Sequence, residues 1–249
     1  EVAADVQAGQ APDAQIMLSP RVGFEYKDNF VLRGGAGIFT SRIPFVWPGA
    51  MYNNNGLTIG NVDERDLPDD FKFEADINNQ YTNPDFTIPS GDINLFTDDF
   101  KYPQVFRANL AIDKRLPGDI DFTIEGLYTK TLNNVVYTNI NNDKTNSTTW
   151  SGPDSRTIYE REDIDDTYGA VYVGSNTNQG YTYNMSVSLA KNFDDVYNVF
   201  LAYNFGDSYA INEGTSSQNS SQWRGQVHID GRNNPVFGRS DYSQGSRII

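Results

Sequence analysis

The stretch 180–206, GYTYNMSVSLAKNFDDVYNVFLAYNFG, decides the fold. Tyr181, Tyr183, Met185, Val187 and Leu189 alternate with Thr182, Asn184, Ser186 and Ser188. After Phe193-Asp194-Asp195, Tyr197, Val199, Leu201, Tyr203 and Phe205 alternate with Asn198, Ala202 and Asn204. Successive side chains of a strand point to opposite faces, so this spacing describes two strands, each with one apolar and one polar face, joined by a tight turn.

The same period recurs upstream. In 15–26, Ile16, Leu18, Val22, Phe24 and Tyr26 alternate with Gln15, Ser19, Arg21, Gly23 and Glu25. In 104–114, Phe106, Ala108, Leu110 and Ile112 alternate with Arg107, Asn109 and Asp113, and in 120–130 Phe122, Ile124 and Tyr128 alternate with Asp121, Thr123 and Glu125. Segment 30–40 keeps the phase through Phe30, Leu32 and Ile38 despite Gly34, Gly35 and Gly37. Strands are expected near 15–26, 30–41, 104–114, 120–139, 180–191 and 196–207, with a further one starting near 241–249. Most hold the alternation for ten or more residues. Strands of water-soluble proteins average about 5–6 residues, whereas membrane-barrel strands need about 9–11.

Loop rhythm points the same way. Lys27-Asp28-Asn29, Leu116-Pro117-Gly118 and Phe193-Asp194-Asp195 have turn composition, whereas 42–102, 142–168 and 212–240 are long excursions rich in Asn, Asp, Ser and Gly. Short turns alternating with long loops describe an outer-membrane barrel whose long loops face the cell exterior. Folding the hairpins about residues 28, 117 and 194 sets polar against polar in all three, with Glu25 diagonal to Arg33 and Arg107 diagonal to Glu125. Phe24, Tyr26, Phe30, Phe122, Phe193 and Tyr197 cluster near strand ends, as interfacial girdles require. A soluble sandwich or propeller also alternates and stands as the other architecture.

Composition excludes several classes. With 33 acidic and 19 basic residues the formal charge is −14, and residues 62–101 alone hold eleven acids against three bases. Nucleic-acid binding, which needs clustered Lys and Arg, is not expected. The chain has no cysteine, so disulfides and thiolate metal sites are ruled out. No apolar run approaches the ~18 residues of a spanning helix, and residues 1–15 lack the basic start and apolar stretch of a signal peptide.

The strings Leu18-Ser19-Pro20-Arg21-Val22-Gly23-Phe24, Leu32-Arg33-Gly34-Gly35-Ala36-Gly37-Ile38-Phe39-Thr40 and Arg42-Ile43-Pro44-Phe45-Val46-Trp47 resemble the barrel of TonB-dependent receptors. The subgroup is the one with an N-terminal carboxypeptidase-regulatory-like domain. Leu127 to Val135, Ser175 to Tyr181 and Asp207 to Ser217 add to the resemblance, which runs from about residue 15 to near the end. It implies an antiparallel, all-β transmembrane barrel of about 22 strands, plugged by an N-terminal domain and energised by an inner-membrane TonB-type complex. Residues 1–249 are then part of the barrel domain, with the plug and the closing strands outside this chain and the open edges paired elsewhere.

On this reading Arg21, Glu25, Arg33, Arg107, Asn109, Glu125 and Asn184 face the lumen. Trp47, Trp150 and Trp223 fall in long loops, where they either meet a ligand or partner or build small loop cores. His228 is the only histidine and no Gly-x-Ser-x-Gly elbow accompanies it, so no catalytic residue and no enzyme is expected. The carboxylate pairs Asp69/Asp70, Asp98/Asp99, Asp165/Asp166 and Asp194/Asp195 are what an acid-rich loop set contains anyway, and no Asp-x-Asp-x-Asp-Gly calcium loop occurs. Gly34, Gly35 and Gly37 suit strand bending or close backbone approach rather than a phosphate loop. No metal site or cofactor is expected. Two functions follow: energised nutrient uptake across a Gram-negative outer membrane, or a binding, adhesion or complex-assembly surface without transport. Expected partners are outer-membrane lipid, the rest of the barrel and plug, the TonB-type complex, and a surface lipoprotein or other protein on the loops.

Overall fold

The computed structural model describes residues 12–53, 71–79, 91–143, 145, 147–159, 163–194, 196–214, 216–229 and 231–249. In chain order the elements are β1 (Arg21–Lys27), β2 (Val31–Thr40), α1 (Val46–Gly49), β3 (Ile93–Phe96), β4 (Gln104–Leu116), β5 (Ile120–Asn139), β6 (Ser147–Thr149) and β7 (Thr157–Tyr159). There follow β8 (Val171–Thr177), β9 (Gly180–Phe193), β10 (Tyr197–Ala210), α2 (Asn219–Gly225), β11 (Gly238–Arg239) and β12 (Arg247–Ile248). The long strands form one antiparallel meander in the order β1-β2-β4-β5-β9-β10. The strands are 10 to 20 residues long except β1 with 7, in the range a membrane wall needs.

Each tight hairpin is centred one residue later than the turn composition suggests. Glu25 lies directly opposite Arg33, Ala111 opposite Glu125, and Asn184 opposite Gly206, so the pivots are residues 29, 118 and 195. Moving a pivot by one residue slides the pairing by two, so the polar-against-polar parity survives while individual neighbours change. Glu25 and Arg33 are therefore direct neighbours rather than diagonal, and Arg107 faces Thr129, well away from Glu125. Gly118 and Asp119 take positive φ (81° and 58°), the left-handed geometry that closes a three-residue hairpin loop.

The ends of the sheet also differ from expectation. Regular pairing begins at Arg21, not near residue 15, because Pro20 has no N–H to donate; its carbonyl still accepts from the Ile38 N–H at 2.9 Å. The segment 241–249 is not one strand. On the side of β10 away from β9, β11 and β12 pair with it: Tyr209 faces Arg239 and Tyr203 faces Ile248, so the ten residues 239–248 span the seven residues 203–209 of β10. The excess is taken up where Ser240 turns the chain, its Oγ accepting from the Tyr242 N–H at 3.1 Å and its carbonyl from the Ser243 N–H at 3.0 Å.

The long excursions carry structure of their own. β5 runs on past β4, which leaves it at a bulge where Gln104 faces Asn133 and Val105 faces Thr131. β8 takes up pairing with β5 where β9 stops, in unbroken register: Lys130 faces Tyr181 and Asn134 faces Thr177. β3 adds to β8 in parallel, and α1 and α2 pack nearby. The main buried core lies here, built from Ile43, Trp47, Met51, Phe96, Phe100, Val135, Tyr137, Tyr172 and Trp223. By contrast, the apolar face of the sheet is open: Leu110, Met185, Leu201 and Phe205 are 42–53% exposed.

Candidate functional site

Register alone sorts the sheet into two faces. Val22, Phe24, Leu110, Ile112, Phe122, Ile124, Met185, Val187, Leu189, Leu201 and Phe205 share one, and Arg21, Glu25, Arg33, Arg107, Asn109, Glu125 and Asn184 share the other. The apolar face ends in aromatic clusters. Tyr181 stacks on Tyr209 at 5.0 Å and lies 5.8 Å from Phe237 near the excursion end, while Phe193 stacks on Tyr197 at 4.7 Å near the turn end. Tyr181 and Phe193 are twelve residues apart on β9. At ~3.3 Å per residue that is about 40 Å along the strand, or ~28 Å across a bilayer for a tilt of ~45°.

The polar face is organised in rows across the strands. Nearest the turns, Arg33 donates to Asp113 at 2.7 Å, Thr123 donates to the same carboxylate at 2.8 Å, and Glu125 lies 3.9 Å from Arg33. Alternation puts Asp113 on the polar face, but its contact with Arg33 is not legible in the sequence, since the two are 80 residues apart and meet only through the β2–β4 pairing. Glu25 pairs with Lys27 at 2.6 Å, not with Arg33, and Arg115 pairs with Asp119 at 3.2 Å and Asp121 at 3.9 Å. Asn109 and Asn184 flank Leu127 from either side. In the next row Arg107 donates to the Thr129 hydroxyl at 3.1 Å, and the guanidinium carbons of Arg21 and Arg107 lie 4.4 and 5.9 Å from the Phe39 ring centre.

Farther along the same face the charged rows give way to a cap. Odd-numbered residues of β5 continue the polar face, and Val135, Tyr137 and Asn139 are buried under the excursions. The Tyr137 ring meets Trp47 edge-on at 5.9 Å and Phe96 at 6.2 Å, and its hydroxyl donates to Asn219 at 3.0 Å. Asn219 donates in turn to the Trp47 carbonyl at 3.2 Å and to Asn94 at 2.9 Å. Opposite Tyr137 stands Gly174, where an added Cβ would come within 2.6 Å of Phe96 and 3.1 Å of Tyr137.

With β4 gone, the backbone of residues 135–139 has a free edge, and side-chain amides fill it. Asn212 donates to the Val135 carbonyl at 3.0 Å. Gln226 accepts from the Tyr137 N–H and donates to its carbonyl, and Asn233 does the same for Asn139 at 2.8 and 2.7 Å. Buried backbone groups must find partners, and here the cap supplies them without a strand. Nothing periodic in the sequence marks these amides.

Of the three tryptophans, Trp47 and Trp223 are core residues, 4% and 8% exposed, and do not present a contact surface. Their indole N–H groups are spent on the Ser216 carbonyl and on Asn233. Trp150 remains exposed. His228 is half-buried, and burial, then Arg232 and Arg156, hold its imidazole below the ordinary value. Asp69, Asp70 and Asp195 lie outside the described residues; among those described, no group of three or more His, Asp or Glu side chains is placed to hold a metal ion. One cluster went unread in the sequence. Asp207, on the apolar face opposite Tyr183, binds Arg239 at 2.5 Å and Ser243 at 2.6 Å and so fastens the last segment to β10. Beside it, Asn204, Tyr242, Ser243 and Arg247 line a cleft of about 380 Å³.

A family model for the outer membrane beta barrel domain matches residues 6–249. The chain belongs to that family. Membership locates the barrel in a bacterial outer membrane. No curated protein and no solved structure matches the chain.

Proposed function

We propose that this barrel domain is the wall of a TonB-dependent receptor that takes up a nutrient ligand through the outer membrane. The polar face lines the lumen, the cap stands at its outer mouth, and an inner-membrane TonB-type complex supplies the energy. The observation that carries the reading is the cap's position: a packed core sits over the same face of β5 that bears the ion-paired rows. A purely structural wall needs no buried module there. Two sheet edges, the outer sides of β1 and of β11 and β12, carry no further strand among the described residues. Unpaired edges in hydrocarbon cost several kcal/mol per group, so both meet the remainder of the barrel.

Deleting the receptor gene tests this. Growth on one member of a panel of glycans, peptides and iron chelates should be lost, and deletion of the TonB-type complex should cause the same loss. A receptor deletion that leaves uptake of every member unchanged contradicts transport. An epitope inserted at Thr145 should also be detected on intact cells.

A second reading, a binding or complex-assembly protein without transport, is favoured by apolar side chains on the cap that the core does not use. Phe45, Val46 and Trp150 are exposed there and suit a surface lipoprotein or other protein partner.

A further inference from the structure

The geometry points to an oxyanion-binding site on the polar face, formed by Arg21 and Arg107 across Gly37. Arg21 lies directly opposite Gly37, and Gly37 directly opposite Arg107, so the two arginines stand on either side of a residue with no side chain. Two strand spacings, about 9.6 Å, separate their backbones. The Arg21 chain bends into the gap: a Cβ on Gly37 would meet its Cγ at 2.8 Å. Both guanidiniums lean on the Phe39 ring, Arg21 at 4.4 Å and Arg107 at 5.9 Å. The ring supports two like charges that would otherwise repel.

What sets this pair apart is the missing counter-charge. Lys27, Arg33 and Arg115, the other basic side chains on this face of the long strands, each meet a carboxylate. Among the described residues neither Arg21 nor Arg107 meets one, in a chain where acids outnumber bases 33 to 19. A guanidinium offers five donors and no acceptor, and Arg107 spends one of its five on Thr129. The donors left over form two planar forks of the kind that grip carboxylate or phosphate oxygens in pairs. The Thr129 hydroxyl, with Thr182 opposite it and Ser208 beyond, continues the polar row, the last two hydroxyls bonding each other at 2.9 Å. The site therefore takes a ligand bearing a carboxylate or phosphate group. Its place on a nutrient's route rests on the proposed lumen, but anion binding itself does not.

Phenylglyoxal, which modifies free arginines, tests this on the full-length receptor in detergent, with each modified residue read by mass spectrometry. Phosphate and acetate are added separately against chloride at matched ionic strength, and Arg115 serves as the ion-paired control. Arg21 and Arg107 should react in chloride and be slowed about tenfold when phosphate or acetate exceeds its dissociation constant tenfold, with Arg115 unaffected. Equal rates in all three anions overturn the site. So does an absence of reaction in chloride, which would mean that a polypeptide carboxylate already occupies the guanidiniums. The variants Arg21→Gln and Arg107→Gln should each abolish protection at the remaining arginine. Unheated gel mobility of the same preparation reports the barrel separately, so failure of the site and failure of the receptor reading are told apart.

Discussion

The side-chain amide of Gln226 replaces a strand neighbour for Tyr137: its Oε1 accepts the Tyr137 N–H at 2.5 Å and its Nε2 donates to the Tyr137 carbonyl at 2.8 Å. Both residues are buried, so neither backbone group has water as a substitute. Gln226→Ala leaves a buried donor and acceptor unmet and should destabilise the cap by about 1–3 kcal/mol. Hydrogen exchange at residues 135–139 should accelerate while exchange in β4 and the lower half of β5 stays unchanged. Unaltered protection at 135–139 would show that the amide does not hold the edge.

Gly174→Ala probes the other side of Tyr137. The added methyl meets Phe96 and Tyr137 ring carbons at 2.6 and 3.1 Å, and overpacking of this kind costs about 1–3 kcal/mol. Trp47, edge-on to Tyr137, should report the disturbance as red-shifted fluorescence. An unshifted spectrum with unchanged melting would mean that the rings yield freely.

Acid should loosen the cap through His228. Its folded value lies below the ordinary one, so the unfolded cap binds more protons as pH falls. The stability contributed by the neutral imidazole is present above the unfolded value, about 6.5, and is lost as pH drops through the lower folded value. Protease cleavage within 212–240 should rise between about pH 7 and pH 5, and His228→Gln should flatten that rise. An identical rise in the variant would assign it to other groups.

The strands were legible because period two is a local signal that survives without knowing any partner. Parity across the hairpins was legible for the same reason. The exact neighbours were not, because the pivot depends on which turn residue takes positive φ, here Gly118 and Asp119. The cap was illegible altogether. Trp47, Phe96, Tyr137 and Trp223 come from four separated segments, and Asn212, Gln226 and Asn233 look like any other loop amides. The seven polar residues read from alternation do share one face, but the Arg33–Asp113 contact needed the β2–β4 register, which spans a 63-residue connection from Ser41 to Pro103.

Charge placed on the apolar face should be poorly tolerated. Leu110 is half-exposed and opposite Gly126 in mid-strand, so Leu110→Arg should cost about 2–4 kcal/mol in a membrane. Folding yield into lipid vesicles against urea measures this. A cost below that of Asn109→Arg, on the polar face beside it, would be the wrong order.

The division of the sheet into a lipid face and a water face is tested most directly by single cysteines placed in turn at 106, 107, 109, 110, 122, 124 and 125 of the membrane-embedded protein. Labelling with a water-soluble maleimide should be fast at Arg107, Asn109 and Glu125 and slow at Phe106, Leu110, Phe122 and Ile124, following the observed register of β4 and β5. Equal labelling of the two sets, or the reverse order, would contradict a membrane barrel with these faces.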